Sequence, residues 1–367
     1  MELKIVQEKL AKALNSVSRV AAGGRATLPI LSNVLIKASN KEVSLTTTNL
    51  DMAVTSLIVA KECQDGSITV PARLIAEFVT NLPKGEDVLI KVDGEKILIE
   101  SKGYKSTING ALADDFPELP DIEHELARFT VEAEKFKTGL TQVMVAASND
   151  MTRPALTGIC FNVIDGGLFV AATDGYRLAE RKLADDVKSE LNAIVPSASL
   201  QEVMRSLSEE VDEIEVIFDE TSVKFKFGDI EIISKLIDGS FPDYRQLIPE
   251  TSEINVMLEK DELTRITKLA ALFAREVGGS VVCETNSEKS VFSIASVANE
   301  LGENTSEIET SVDTSGRVVL NSRFLLDVLN VLDGKEVEFG FANRLDPAVI
   351  RGKDHPEYVH IIMPLKG

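Results

Sequence analysis

The chain of 367 residues is poor in the residues on which most protein chemistry depends. Its three cysteines, Cys63, Cys160 and Cys283, are widely separated and make no CxxC pair. That excludes a disulfide framework and a cysteine zinc site, and it suits a reducing cytoplasm. The three histidines, His124, His355 and His360, form no HExxH or similar ligand pair. No GxxxxGK[ST] loop, no GxGxxG after a strand and no GxSxG elbow occurs. Acidic residues number 59, too many for any two to stand out as a general acid and base. The sequence therefore predicts neither an enzyme nor a metal or organic cofactor. No apolar run reaches the length of a membrane span. The opening Met1–Lys9 segment is charged throughout, unlike a secretory signal. A cytoplasmic protein without membrane attachment is the expectation.

What the chain does have is internal repetition. Leu10, Leu14, Val17 and Ala21 make a helical apolar stripe matched by Phe136, Leu140, Val143 and Ala147, and continued by Ile266, Leu269 and Phe273. Val70-Pro71 returns as Val195-Pro196 and again, with Asn for Pro, as Leu320-Asn321. A second helical pattern follows each: Phe78 and Leu82, Val203 and Leu207, Val328 and Leu332. Glu77, Glu202 and Asp327 hold one acidic place in it. Pro fits a helix start because its missing N–H would be unpaired there. Phe116-Pro117 likewise returns as Phe241-Pro242.

Between the helical patterns lie short branched runs joined by turns, such as Leu31–Ile36, Val88–Val92, Lys96–Glu100 and the alternating Val223–Phe227. The reading is α+β: three repeated domains, each an antiparallel sheet plus two helices. The expected domains are 1–124, 125–251 and 252–367, with linkers near Pro120 to Ala127 and Pro249 to Glu253.

The formal net charge is −20, which as a total argues against nucleic acid. Its distribution argues the other way. The first expected helix of each repeat is basic: Lys9, Lys12 and Arg19 against Glu8; Lys135 and Lys137 against Glu134; Lys260, Arg265, Lys268 and Arg275 against Asp261 and Glu262. The second helices are balanced, so the acidity lies elsewhere. Solvated helix faces would explain this. So would a helix-lined surface facing phosphate inside an acidic exterior. Twelve helices at ~8–10 Å spacing, closed into a ring, leave an opening of roughly 22–28 Å after about one helix thickness is subtracted. Duplex DNA is on the order of 20 Å across by its groove depths. Six helices leave far too little, so a ring around DNA needs two chains.

Several strings then carry a family resemblance in order and spacing. They are Gly23-Gly24-Arg25-Ala26-Thr27-Leu28-Pro29-Ile30-Leu31, Val70-Pro71-Ala72-Arg73, Thr173-Asp174-Gly175-Tyr176-Arg177-Leu178, Phe241-Pro242-Asp243-Tyr244-Arg245 and the terminal Met363-Pro364. Over its whole length the sequence resembles the bacterial replicative sliding clamps, the β subunits of DNA polymerase III. The resemblance implies the DNA clamp fold in a ring-shaped, head-to-tail homodimer around double-stranded DNA, bound without regard to sequence and without catalysis. It implies partners that dock through short linear motifs: the polymerase III α subunit, the clamp loader, other polymerases and mismatch-repair proteins. The implied peptide pocket comprises Leu156, Thr173, Gly175, Tyr176, Arg177, Leu178, Pro242, Leu247, Ile361, Met363, Pro364 and Leu365. Implied DNA contacts are Arg25, Arg73, Asn149 and Arg153, and the implied dimer joint comprises Ile108, Leu272 and Phe273. The ending Leu365-Lys366-Gly367 departs from the family's usual terminus, which bears on the outer pocket contacts. The competing reading is an acidic three-domain interaction scaffold that does not encircle DNA.

Overall fold

A computed structural model of the protein describes residues 1–21, 28–298 and 302–365. Among the described residues six α-helices recur two per repeat: α1 (Gln7–Ser18), α2 (Ala72–Thr80), α3 (Ala133–Met144), α4 (Ser197–Ser206), α5 (Lys260–Ala274) and α6 (Ser322–Val331). Each repeat runs strand, helix, strands, helix, and three further strands. In α1 the stripe Leu10, Leu14 and Val17 is fully buried, and the helix packs on α2 and on strand Met52–Val59. In the third repeat α5 packs on α6 and on strands Val291–Ala298 and Gly302–Glu309.

The substitution of Asn for Pro in the repeating dipeptide has a local reason. Pro71 caps α2 with φ −55°, its ring setting the angle. Asn321 caps α6 by accepting from the Arg323 amide at 2.9 Å. Asn321 thus satisfies one of the unpaired donors at its helix start, whereas Pro71 makes no side-chain cap bond and fixes only the entry angle.

The structure corrects several boundaries. Leu31 and Ser32 belong to a 3-10 turn, Pro29–Ser32, and the strand runs Asn33–Ser39. The second repeat does the same at Pro154–Thr157. In both, Pro at the first position favours a turn over sheet pairing. α1 ends before Arg19 and α5 before Arg275. Within their observed bounds α1, α3 and α5 each carry a single net positive charge, which matches the sequence pattern for α3 and is one less than it suggested for α1 and α5. Arg19 is further neutralised by the buried Glu202 at 2.8 Å.

Two compact units emerge, residues 1–133 with 198–236, and residues 134–197 with 237–367. The division runs through the middle repeat because sheets are shared between repeats. In the first unit an eight-stranded antiparallel sheet places four strands of the middle repeat beside four of the first; strand Ile230–Lys235 pairs with Met52–Val59, Ile230 opposite Ser56. In the second unit the third repeat meets the middle one the same way, with strand His355–Ile362 pairing with Arg177–Ala184 and Tyr358 opposite Arg181. The first unit also holds a five-stranded sheet ending at strand Tyr104–Asn109, and the second a four-stranded sheet ending at Gly302–Glu309. Among the described residues neither strand has a partner on its outer side, so both are free edges.

Candidate functional site

The second unit builds the Thr173–Leu178 turn as a closed hydrogen-bond scaffold. Thr173 Oγ1 donates to the Arg177 carbonyl at 2.6 Å and accepts from the Gly175 amide at 3.1 Å. Asp174 Oδ1 accepts from the amides of Tyr176 and Arg177 at 2.9 and 3.0 Å. Gly175 sits at φ +90°, where a side chain would be strained. The Tyr176 carbonyl accepts from the Met363 amide at 2.8 Å, which lays the Met363-Pro364-Leu365 tail against the turn.

Arg177 is the brace. It is buried, its Nε bonds Asp174 at 3.0 Å, and its terminal nitrogen bonds Asp327 on α6 at 2.6 Å. The guanidinium also lies 4.3 Å over the Phe324 ring. Beneath the turn, Leu178 and Ile361 join Ala171, Tyr244, Val349 and Val359 in a buried cluster, with Phe241 packed against it. Tyr244 donates to the buried Glu180 at 2.6 Å, and Arg245 Nε donates to the same carboxylate at 2.9 Å. Burial first, then the Glu180 charge, pushes the Tyr244 phenol far up, so it stays a neutral donor. The floor beneath the turn is therefore a buried layer tied by hydrogen bonds.

Above this floor stand exposed groups: Tyr176 at 62%, Leu247 at 51% and Met363 at 37% exposure, with Pro242 also exposed. Leu156 and Thr173 are buried at the base, and Pro364 and Leu365 are half-buried. Large apolar side chains kept in water over a rigid floor suit a peptide with aliphatic or aromatic anchors.

The first unit contains the same turn without the same face. Thr48 Oγ1 bonds the Met52 carbonyl at 2.8 Å, Asn49 Oδ1 accepts from Asp51 and Met52 at 3.0 and 2.9 Å, and the Asp51 carbonyl accepts from Lys235 at 2.9 Å. The turn itself is inherited from the repeat. What distinguishes the second unit is Gly175, Tyr176 and Arg177 where the first has Leu50, Asp51 and Met52.

Sequence reasoning did not find Phe324 or Glu180, and it placed Asp174 in the turn motif without giving it a site role. Asp327 was visible only as a recurring acidic place; in the middle repeat the corresponding Glu202 binds Arg19. The expected DNA contacts fall in different settings. Arg73 is exposed in the first turn of α2 and has no ion-pair partner among the described residues. Asn149 is exposed in the loop after α3. Arg153 is exposed too, but its terminal nitrogen lies 3.7 Å from where a Cβ on Gly175 would stand, which puts it at the cleft. Arg25 lies outside the described residues. Of the joint residues, Ile108 is buried on the free edge strand, Leu272 is 52% exposed and Phe273 half-buried, both in the last turn of α5.

Among the described residues no group of His, Cys, Asp and Glu could hold a metal ion, and no helix is long and apolar enough to cross a membrane. Burial pushes the Cys160 and Cys283 thiols up to about 12, so both are inert at neutral pH.

These features define a protein built from three repeats, with exposed apolar side chains standing over a hydrogen-bonded, buried floor. Models of the DNA polymerase III β subunit match its N-terminal domain at residues 1–120, its central domain at 130–243 and its C-terminal domain at 245–366. The chain belongs to the DNA polymerase III β subunit family, and within it functions as a non-catalytic sliding clamp that confers processivity. A β sliding clamp of Staphylococcus aureus is 29% identical over 378 residues, covering 100% of this chain and 99% of that protein. The crystal structure of the Pseudomonas aeruginosa sliding clamp matches with TM-score 0.95 at 27% identity, covering 100% of both chains. That of Bacillus subtilis matches with TM-score 0.92 at 28% identity, covering 100% of this chain and 99% of the other. The family acts on DNA with polymerases as a dimer.

Proposed function

We propose that two copies of this chain close head to tail into a cytoplasmic ring around duplex DNA, and that the Tyr176 cleft of each recruits its partners. The domains are read as 1–124, 125–251 and 252–367. One observation carries the ring. Each eight-stranded sheet joins four strands of one repeat to four of another, in a fixed order. The free edges Tyr104–Asn109 and Gly302–Glu309 end two sheets that lack only such a partner. Pairing them between copies gives the same strand order a third time, and a heterologous contact of this kind closes when the rotation permits.

Internal repetition also fixes the register. Ile230 opposite Ser56 and Tyr358 opposite Arg181 translate to Tyr104 opposite Ser306 of the second copy, and Ile108 opposite Gly302. Leu272 and Phe273 stand on α5, the helix that packs on the Gly302–Glu309 strand, and would cover the joint.

Arg25, Arg73 and Asn149 would touch phosphate without reading sequence, so the ring slides. Arg153 would serve the cleft, DNA or both in turn. The polymerase III α subunit, the clamp loader, other polymerases and mismatch-repair proteins would share one cleft and compete for it.

The joint is tested by oxidising the double variant Tyr104→Cys, Ser306→Cys. Opposed residues in an antiparallel pair have Cα atoms about 4.5–5.5 Å apart, within disulfide range. Covalent dimers are expected from the double variant and from neither single variant. Dimers that form without any such crosslink would overturn the register.

A further inference from the structure

The Tyr176 cleft leaves unused a second concavity on the other side of the tail. It has a volume of about 960 Å³ and an apolar floor of Ile254, Val319, Leu345 and Leu365. That size falls within the range of ligand sites. The Leu365 amide donates to the Val319 carbonyl at 2.8 Å, so the tail is pinned as the wall between cleft and cavity.

Leu345 is 68% exposed yet not loosely held. Asn343 Oδ1 accepts from the Leu345 and Asp346 amides at 2.8 and 3.2 Å, fixing the turn that presents it. Asn343 also donates to the Asp346 carboxylate, which orders the turn further. Arg317 and Arg344, both on the lining, have no ion-pair partner among the described residues. Glu253 is the acidic residue of the lining, so two guanidiniums face one carboxylate. On a chain of net charge −20, an outward pair of unneutralised arginines beside exposed leucine selects an anionic, partly apolar segment.

We propose that this cavity receives the acidic, aliphatic-bearing residues that follow the anchor of a partner peptide seated in the Tyr176 cleft. The inference rests on the cleft reading. The tail that separates the two sites is three residues long, Met363 to Leu365, a span of about 10 Å that an extended peptide covers in ~3 residues. The anchor then supplies apolar burial in the cleft. The flank adds two charge-assisted contacts and one aliphatic contact on Leu345, and discriminates among partners that share an anchor.

The test is fluorescence anisotropy with three synthetic peptides on the full chain: a Leu- and Phe-bearing anchor, the same anchor with a Glu-Leu-Asp flank, and the same with a Lys-Leu-Lys flank. Two exposed charge pairs should together tighten binding of the acidic flank roughly two- to thirtyfold, and the basic flank should gain nothing. The gain should vanish in Arg317→Glu with Arg344→Glu and shrink in Leu345→Asp, while the anchor alone binds these variants as it binds the parent. Tyr176→Ala should weaken all three peptides. An acidic flank that adds nothing, or a gain that survives charge reversal, overturns the cavity and leaves the cleft standing. An anchor that fails to bind at all overturns the cleft and the cavity together.

Discussion

Arg177 ties the Tyr176 turn to α6, pairing with Asp174 within the turn and with Asp327 on the helix. Replacing it with Ala leaves Asp174 and Asp327 facing each other without a cation. Removing one partner of a buried pair costs about 3 kcal/mol, and the half-exposed Asp327 places this site at the lower end. A lowered midpoint in chemical denaturation, together with lost peptide affinity, is the expected outcome; unchanged stability would show that the pair is solvated. None of this was legible in the sequence, where Arg177 and Asp327 stand far apart and their types are common.

His360 behaves differently. It is fully buried beside Tyr358, whose hydroxyl lies 2.9 Å from its Nδ1. Burial, with a smaller contribution from Arg177, holds its pKa down to about 3. The ring is therefore neutral in the folded chain well below its ordinary value near 6.5. Between those two values the unfolded chain binds the proton and the folded chain does not, so stability falls as pH drops from about 6.5 towards 3. By pH 5 the loss from this group is about 2 kcal/mol. Urea titrations at pH 7 and pH 5 should show a smaller difference in His360→Gln than in the parent; equal differences would mean His360 is not the group responsible.

At the scale of elements, the helices and most strands could be read from periodicity, since the apolar stripe of α1 and the alternation of Val223–Phe227 each declare a face. Two things could not. The 3-10 turn at Pro29–Ser32 takes the first two residues of a run branched enough to pass for strand. Strand partners across repeats were also hidden, because alternation fixes which face is buried but not which neighbour an edge takes. That second gap matters most, as the shared sheets are what make the free edges meaningful. The grouping of the expected pocket residues came only from family likeness; the turn at Thr48 repeats the local motif with Leu50, Asp51 and Met52 in place of Gly175, Tyr176 and Arg177. At the expected joint, Phe273→Glu places a charge beside an edge strand that must be covered. Dimer affinity should fall roughly a hundredfold, about 3 kcal/mol, and sedimentation at micromolar concentration should show monomers. An unchanged dimer would remove Phe273 from the joint.

For the molecule as a whole, charge and topology divide the work. The chain is strongly acidic, and each repeat's first helix is only weakly basic within its observed bounds. Such a protein should hold linear DNA poorly by adhesion, since few phosphate contacts are available and each is screened by salt. A hold that survives salt must then come from closure. The most direct measurement uses the Tyr104→Cys, Ser306→Cys protein, diluted to dissociate, mixed with plasmid under reducing conditions and then oxidised so that both joints lock. Gel filtration in ~1 M salt, where screening reaches within ~3 Å, removes anything held by charge alone. The account predicts that the locked dimer stays with closed circular plasmid and leaves once the circle is cut. Loss from the intact circle, or retention on the linear form, would contradict encirclement.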